Sequence, residues 1–235
     1  MRPFSNSPSL IQNNNTMENV KETVRKAYTN VVKGSEETAC CGPTCCSPTP
    51  DAIDSFNDSY EHIKGYMPEA DYGLGCGLLT EIANIKEGDI VLDLGSGAGN
   101  DVFVARSIVG GKGQVFGVDF TSAMIEKANA NKEKIGYTNV HFVHGDIESL
   151  PLPAGSIDVV ISNSVMNLVP DKDKAFAEVF KVLKSGGHFS ISDVVLNTAI
   201  PEKLKNAAEL YAGCVSGAIV LDEYLEIIRK QGLHL

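Results

Sequence analysis

The residues in this chain best suited to chemistry are its thiols and a set of carboxylates placed beside glycines. Six cysteines are present: Cys40, Cys41, Cys45 and Cys46 in the run CCGPTCC, Cys76 in GLGCGLL, and Cys214 in LYAGCVSGA. Thiolates are soft ligands and select soft, thiophilic ions. Glycines on both sides leave Cys76 little shielded. The stretch VLDLGSGAGND ends an apolar run in Asp93, turns through Gly95, Gly97 and Gly99, and opens a helix at about Asp101. Such glycines let the backbone approach a bound nucleoside closely. Their spacing is GxGxG, not the GxGxxG of a dinucleotide fingerprint, and no Walker lysine follows, which disfavours a nicotinamide dehydrogenase. Asp119 closes QVFGVDF, where a carboxylate can accept hydrogen bonds from both ribose hydroxyls. Asp146, beside apolar Ile147, could accept the exocyclic amine of adenine. Each residue also has a plainer reading: a tight turn for the glycines, a turn residue for Asp119, a solvated acid or helix cap for Asp146, a buried turn acceptor for Asp93.

These residues need a scaffold that brings strand ends together. From Ile90 onward short β-branched runs (IVLDL, GQVFGVDF, VHFVHGD, IDVVISN, GHFSISDVV) alternate with stretches of helical periodicity such as TSAMIEKANANKEKIG and DKDKAFAEVFKVLKSGG, which close at glycine. That alternation predicts an α/β fold, a doubly wound and mostly parallel sheet with crossover helices and a ligand crevice at the carboxyl ends of its strands. Residues 1–16 are polar and Asn-rich and read as a disordered extension. Residues 17–64 read as a helix beginning at Met17 and a Cys-rich loop, and residues 65–235 as the α/β domain.

Composition narrows the function classes. With 20 Lys and Arg against 30 Asp and Glu, a formal charge of −10 argues against a nucleic-acid surface, which draws its affinity from basic residues. Nothing in the sequence reaches a membrane-spanning length of apolar residues, and the N-terminus lacks a signal-peptide core. A cytoplasmic protein acting on a small molecule, with reduced thiols, is the expectation.

The cofactor loop, Asp119 and Asp146 together resemble the class I S-adenosylmethionine-dependent methyltransferases. Within that group YGLGCG, GSGAGND, GVDFTSAMIEKA, ISNSVMNLVPDK, FKVLKSGGHFSISDVV and LYAGCVSGA resemble, in the same order, the arsenite methyltransferases. The resemblance implies a Rossmann-like fold and S-adenosylmethionine held at its amino-acid end by Asp93, Gly95, Gly97 and Gly99, at its ribose by Asp119, and at its adenine by Asp146 and Ile147. It extends the cofactor cradle to Ser96, Asp101, Phe120, Thr121, Met124 and Asn163. It makes Cys76 and Cys214 the catalytic thiols that bind trivalent arsenic, and implies arsenic detoxification with a thiol reductant, such as thioredoxin or glutathione, as co-substrate. Arsenic bound to thiolates keeps a lone pair as nucleophile, so no general base is needed, and the protein's work is positioning and desolvation.

Two departures from the family matter. Ser164 stands where the family commonly has a third cysteine. Three thiolates hold unsubstituted arsenite whereas two suffice for a monomethyl arsenical, so the monomethyl species is the better expected substrate. The sheet of the family usually finishes in an antiparallel hairpin after the helix matched by LDEYLEIIRKQG, and the sequence ends at Leu235 before it, so the expectation is a C-terminally truncated domain that lacks the hairpin. The CCGPTCC cysteines read three ways: capture of arsenic or a third ligand to it, a metal site such as zinc, or inert loop thiols. Two other functions stay open, a C- or O-methyltransferase of a small metabolite such as a quinone precursor, and a non-catalytic protein that sequesters arsenicals or metals.

Overall fold

A computed structural model describes residues 8–34, 59–199 and 217–235. Cys40, Cys41, Cys45, Cys46 and Cys214 lie outside the described residues. Helix α1 runs Pro8–Lys33, followed by a short α2 at Leu79–Ile82. Strand β1 (Ile90–Leu94) then leads into α3 (Asn100–Val109), β2 (Gln114–Asp119), α4 (Ser122–Ile135), β3 (Val140–His144) and β4 (Ile157–Asn163). Helix α5 (Lys172–Val182), β5 (Leu183–Ser192) and α6 (Leu221–Lys230) complete the order. The five strands form one sheet in the order β3-β2-β1-β4-β5, with every neighbouring pair parallel.

The strands read as apolar runs because both faces of a parallel sheet are covered. Along β1, Val91 packs into one core with Val102, Phe103 and Ile161, while Leu92 and Leu94 point to the other, with Phe176, Val179 and Tyr224. The Phe176 and Tyr224 rings meet edge-on at 5.5 Å and dock α6 on α5. β1 and β4 are neighbours while the chain winds outward from them in opposite directions, so their carboxyl ends flank the switch point where doubly wound sheets bind ligands.

Two local expectations are corrected. Helix α1 begins at Pro8, so residues 8–16 are helical where a disordered extension was expected before Met17. Proline is favoured at a first helical position, and no glycine or second proline interrupts the run that follows. Helix α5 stops at Val182, so KSGG belongs to β5 and does not cap a helix. The register jumps there from Ile157 opposite Leu183 to Val159 opposite His188, and Gly186 takes up the irregularity at φ +83°. By contrast α4 ends as its sequence suggests, with Gly136 left-handed and its N–H donating to the Lys132 carbonyl at 2.9 Å.

Candidate functional site

The loop after β1 is built on three left-handed glycines, Gly95, Gly97 and Gly99, at φ +69°, +52° and +100°. They do different things. A Cβ on Gly95 would come within 2.5 Å of Val165, and one on Gly99 within 2.6 Å of the Phe142 ring, so both allow close packing. A Cβ on Gly97 would meet only the Met124 sulfur, at 3.9 Å. That space opens into a crevice whose wall includes Gly97 and Met124 together with Gly95 and Ser96.

Asp119 fixes the loop from β2. Its Oδ2 accepts from the Gly97 amide at 3.0 Å and its Oδ1 from the Thr121 amide at 2.7 Å. Each oxygen keeps a further lone pair, and Asp119, Phe120 and Thr121 all contribute to the wall. Asp101, in the first turn of α3, lines the same crevice and is hydrogen-bonded to Tyr60 Oη at 2.9 Å and Asn163 Nδ2 at 3.1 Å. Asp93 is not part of the wall, nor is Gly99; Asp93 is buried behind it at the end of β1.

Burial raises the pKa of all three carboxyls. Asp93 is raised further by the charges of Asp101 and Asp119. For Asp101, hydrogen bonds from Asn163 and Tyr60 only partly oppose burial, and for Asp119 the Thr121 and Gly97 amides do the same. Among the described residues the wall carries a single basic side chain, Lys21, and it belongs to the opposite end. Two buried acids, Asp93 and Asp119, and the half-buried Asp101 stand together, opposed only by the charge of His144 acting on Asp119 and with no lysine or arginine beside them in the wall among the described residues, an arrangement suited to a positively charged ligand.

At that opposite end Lys21 Nζ from α1 lies 2.7 Å from Asp146 Oδ2 and 2.7 Å from Glu148 Oε2. Burial alone would raise the Asp146 pKa, but the Lys21 ion pair and the Glu148 amide outweigh it and hold the carboxyl below its ordinary value. Ile147 is buried beside it, and Val24 and Tyr28 of α1 join the wall. Asp146 therefore stands in a paired, ionised state, with α1 closing this end.

Cys76 lies next to two lining residues, Leu74 and Gly75. Its amide donates to Asn163 Oδ1 at 2.8 Å and its carbonyl accepts from Ser192 Oγ at 3.1 Å, which ties the loop to the carboxyl ends of β4 and β5. Cys76 is half-buried and does not itself line the crevice. Ser164, buried and left-handed at φ +58°, does line it.

Sequence reasoning missed Lys21, Tyr60 and the α1 face. An amphipathic α1 was the available signal for the first, and a lone tyrosine in DSYEH offers none. The fit of an S-adenosyl cofactor rests on two observations: the acidic end without lysine or arginine in its wall, and three residues of that wall, Ser96, Asn100 and Ser164, each of which carries a buried side-chain oxygen without a hydrogen-bond partner. Buried polar atoms in that condition call for a ligand or water. No group of three or more His, Cys, Asp or Glu able to hold a metal occurs among the described residues, and no helix there is long and apolar enough to cross a membrane.

Comparison with known proteins agrees with this geometry. Residues 85–232 match the model of a methyltransferase domain family. An arsenite methyltransferase from Halobacterium salinarum is 37% identical over 92% of this chain and 58% of its own length, and one from Mus musculus is 36% identical over 91% and 57%. The chain thus spans a little over half the length of these curated relatives. The crystal structure of an arsenic (III) S-adenosylmethionine methyltransferase from Chlamydomonas reinhardtii superposes with a TM-score of 0.62 at 36% identity, covering 76% of this chain and 60% of that one. The five parallel strands, their flanking helices and the acidic crevice at the switch point are those of a class I, Rossmann-like methyltransferase, and the chain belongs to the methyltransferase domain family.

Proposed function

We propose that this chain transfers a methyl group from S-adenosylmethionine to trivalent arsenic held by Cys76 and Cys214. The observation that carries the reading is the hydrogen bond from the Cys76 amide to Asn163, a residue that lines the acidic crevice. The arsenite methyltransferase relatives support it.

When bound, S-adenosylmethionine would supply an electrophilic methyl carbon with a neutral thioether as its leaving group, and the arsenic lone pair would be the nucleophile. Asp101, with Asp93 behind it, offsets the positive charge of the amino-acid end. Asp119 would accept from the ribose hydroxyls with the lone pairs that the Gly97 and Thr121 amides leave over. Ile147 would pack the adenine and Asp146, paired with Lys21, would accept its exocyclic amine. The apolar stretch Val165, Leu168 and Val169 lines the crevice and excludes water from the reacting centre. No side chain has to move a proton, because thiol-bound arsenic has none to lose. Arsenic ends two electrons more oxidised, so a thiol reductant such as glutathione or thioredoxin acts as co-substrate and returns it to the trivalent state. Those reduced thiols fit a cytoplasmic role in arsenic detoxification.

Ser164 sets the substrate preference. Its hydroxyl is a hard oxygen in place of a soft thiolate and gives arsenic no third strong bond. A monomethyl trivalent arsenical is therefore the better substrate and arsenite the poorer, unless the CCGPTCC cysteines supply the missing sulfur. Incubation with S-adenosylmethionine, glutathione and either arsenical, followed by chromatographic separation of arsenic species, tests the reading. Dimethylated product from the monomethyl substrate supports it. No methylated arsenic from either one, by protein that binds S-adenosylhomocysteine, would move the assignment to a C- or O-methyltransferase.

A further inference from the structure

Asn163 does more than line a crevice. It is the last residue of β4, paired with Ser192 on β5, and its side-chain amide has polar neighbours on every side. Oδ1 accepts the Cys76 N–H at 2.8 Å, which fixes the orientation of the amide, because the flipped group would set N–H against N–H. Nδ2 then faces three acceptors, the Gly77 carbonyl at 3.0 Å, Tyr60 Oη at 3.1 Å and Asp101 Oδ2 at 3.1 Å. It has two hydrogens. Tyr60 repeats the conflict on a smaller scale, with one hydroxyl proton between the Gly77 carbonyl and Asp101 Oδ1, both at 2.9 Å. Gly75 makes the approach possible: a Cβ there would lie 2.9 Å from Asn163 Nδ2.

The donors of this network are thus divided between the Cys76 loop and a carboxylate that lines the crevice. We propose that Asn163 and Tyr60 are positioning residues that couple occupancy of Asp101 to the fixing of the Cys76 loop. This rests on the reading that Asp101 receives the ammonium of an S-adenosyl ligand. When a cation shares the Asp101 oxygens, Asn163 and Tyr60 donate more fully to the Gly77 carbonyl, and the loop is held for arsenic. By linkage the effect is reciprocal, so an arsenical on Cys76 strengthens cofactor binding by the same factor. The enzyme then presents its thiol in earnest only when the methyl donor is in place, which disfavours unproductive capture of arsenic.

The test needs neither arsenic nor turnover. Hydrogen exchange of the peptide covering residues 73–78 is followed with and without saturating S-adenosylhomocysteine, which has the same ammonium. Slowing of about tenfold is expected in the wild type, a typical coupling factor. In Tyr60→Phe, which removes a single oxygen, the slowing should fall to less than half on a logarithmic scale, and in Asn163→Ala it should vanish, both at saturation and both with the thermal midpoint recorded. Direct shielding by the ligand would survive Tyr60→Phe unchanged, and that result overturns the relay. Ligand binding without any slowing in the wild type overturns it as well, leaving the cofactor reading intact. Failure of S-adenosylhomocysteine to bind overturns both together. A second arm titrates phenylarsine oxide with and without S-adenosylhomocysteine: affinity enhanced in the wild type and indifferent in Tyr60→Phe is expected, and equal enhancement in both contradicts the relay.

Discussion

Replacing Asp119 by alanine strips two kinds of acceptor at once. In the ligand-free protein its carboxylate takes the Gly97 and Thr121 amides at 3.0 and 2.7 Å, and in the proposed complex it also takes the ribose hydroxyls. Hydrogen bonds to a charged group are worth about 1.5 to 3 kcal/mol each. Losing two to ribose therefore weakens S-adenosylhomocysteine by about 3 kcal/mol at the lower bound, or roughly a hundredfold. Loss of the Gly97 and Thr121 bonds acts mainly on the free protein, where relief of a buried carboxylate offsets part of the loss, so the thermal midpoint should move less than the affinity does. Asp119→Asn retains one good acceptor oxygen and should fall between alanine and wild type. Calorimetric titration with S-adenosylhomocysteine measures the affinities, and thermal unfolding monitors the fold. An Asp119→Ala protein that binds within about threefold of wild type would refute the assignment of Asp119 to the ribose.

The remaining predictions address charge, thiols and a buried lysine. Because Asp93, Asp101 and Asp119 have raised pKa values, the ligand-free protein loses stability as pH rises from their ordinary value of 3.8 through the raised ones. A cationic ligand favours the ionised acids, so binding of S-adenosylmethionine releases protons and tightens as pH rises over that window; calorimetry in buffers of different ionisation heat should record release, and uptake would contradict the acidic-site account. Ser164→Cys adds a thiol to the crevice wall and should raise the arsenite rate at least severalfold relative to the monomethyl rate, whereas an unchanged ratio assigns the third sulfur elsewhere. Lys172, which is 8% exposed, donates to the Asn167, Val169 and Gly217 carbonyls at 3.1, 2.9 and 2.9 Å, and burial lowers its pKa from 10.5 to about 8, against the opposing charges of Asp193, Glu223 and Glu148. The unfolded chain holds the extra proton between those values, so stability should increase from pH 8 to 10.5 by up to about 3 kcal/mol, seen by urea unfolding as an increment absent from Lys172→Met.

What the sequence revealed and what it hid follow from the range of the interactions involved. The apolar run IVLDL and the glycines after it are local signals, and they fall on β1 and on the cofactor loop as expected. Asp119 and Asp101 both line the crevice, and their positions at a strand end and a helix start are legible in sequence. Asn163 lines the crevice, but its hydrogen bond to the Cys76 amide spans 87 positions and no periodicity reports such a pairing. The Lys21 to Asp146 ion pair spans 125 positions, and its lysine sits on a helix whose first turns looked too polar to be ordered. Asp93 ends β1 as the sequence suggests, but that it is buried beside Asp101 and Asp119 without lining the crevice depends on packing no local signal carries. The bulge in β5 hid inside KSGG because a glycine pair signals a helix stop as readily as a strand irregularity.

The central claim, that methyl transfer goes to arsenic held by Cys76, is tested most directly by a single-turnover measurement. Protein saturated with methyl-labelled S-adenosylmethionine is mixed with a monomethyl trivalent arsenical and glutathione, and the label is followed into separated arsenic species. The account predicts labelled dimethyl arsenic from the wild type and none above background from Cys76→Ser, with S-adenosylhomocysteine affinity unchanged within about threefold in that variant. Equal transfer by Cys76→Ser, or no labelled arsenic from wild-type protein with its cofactor bound, would contradict it.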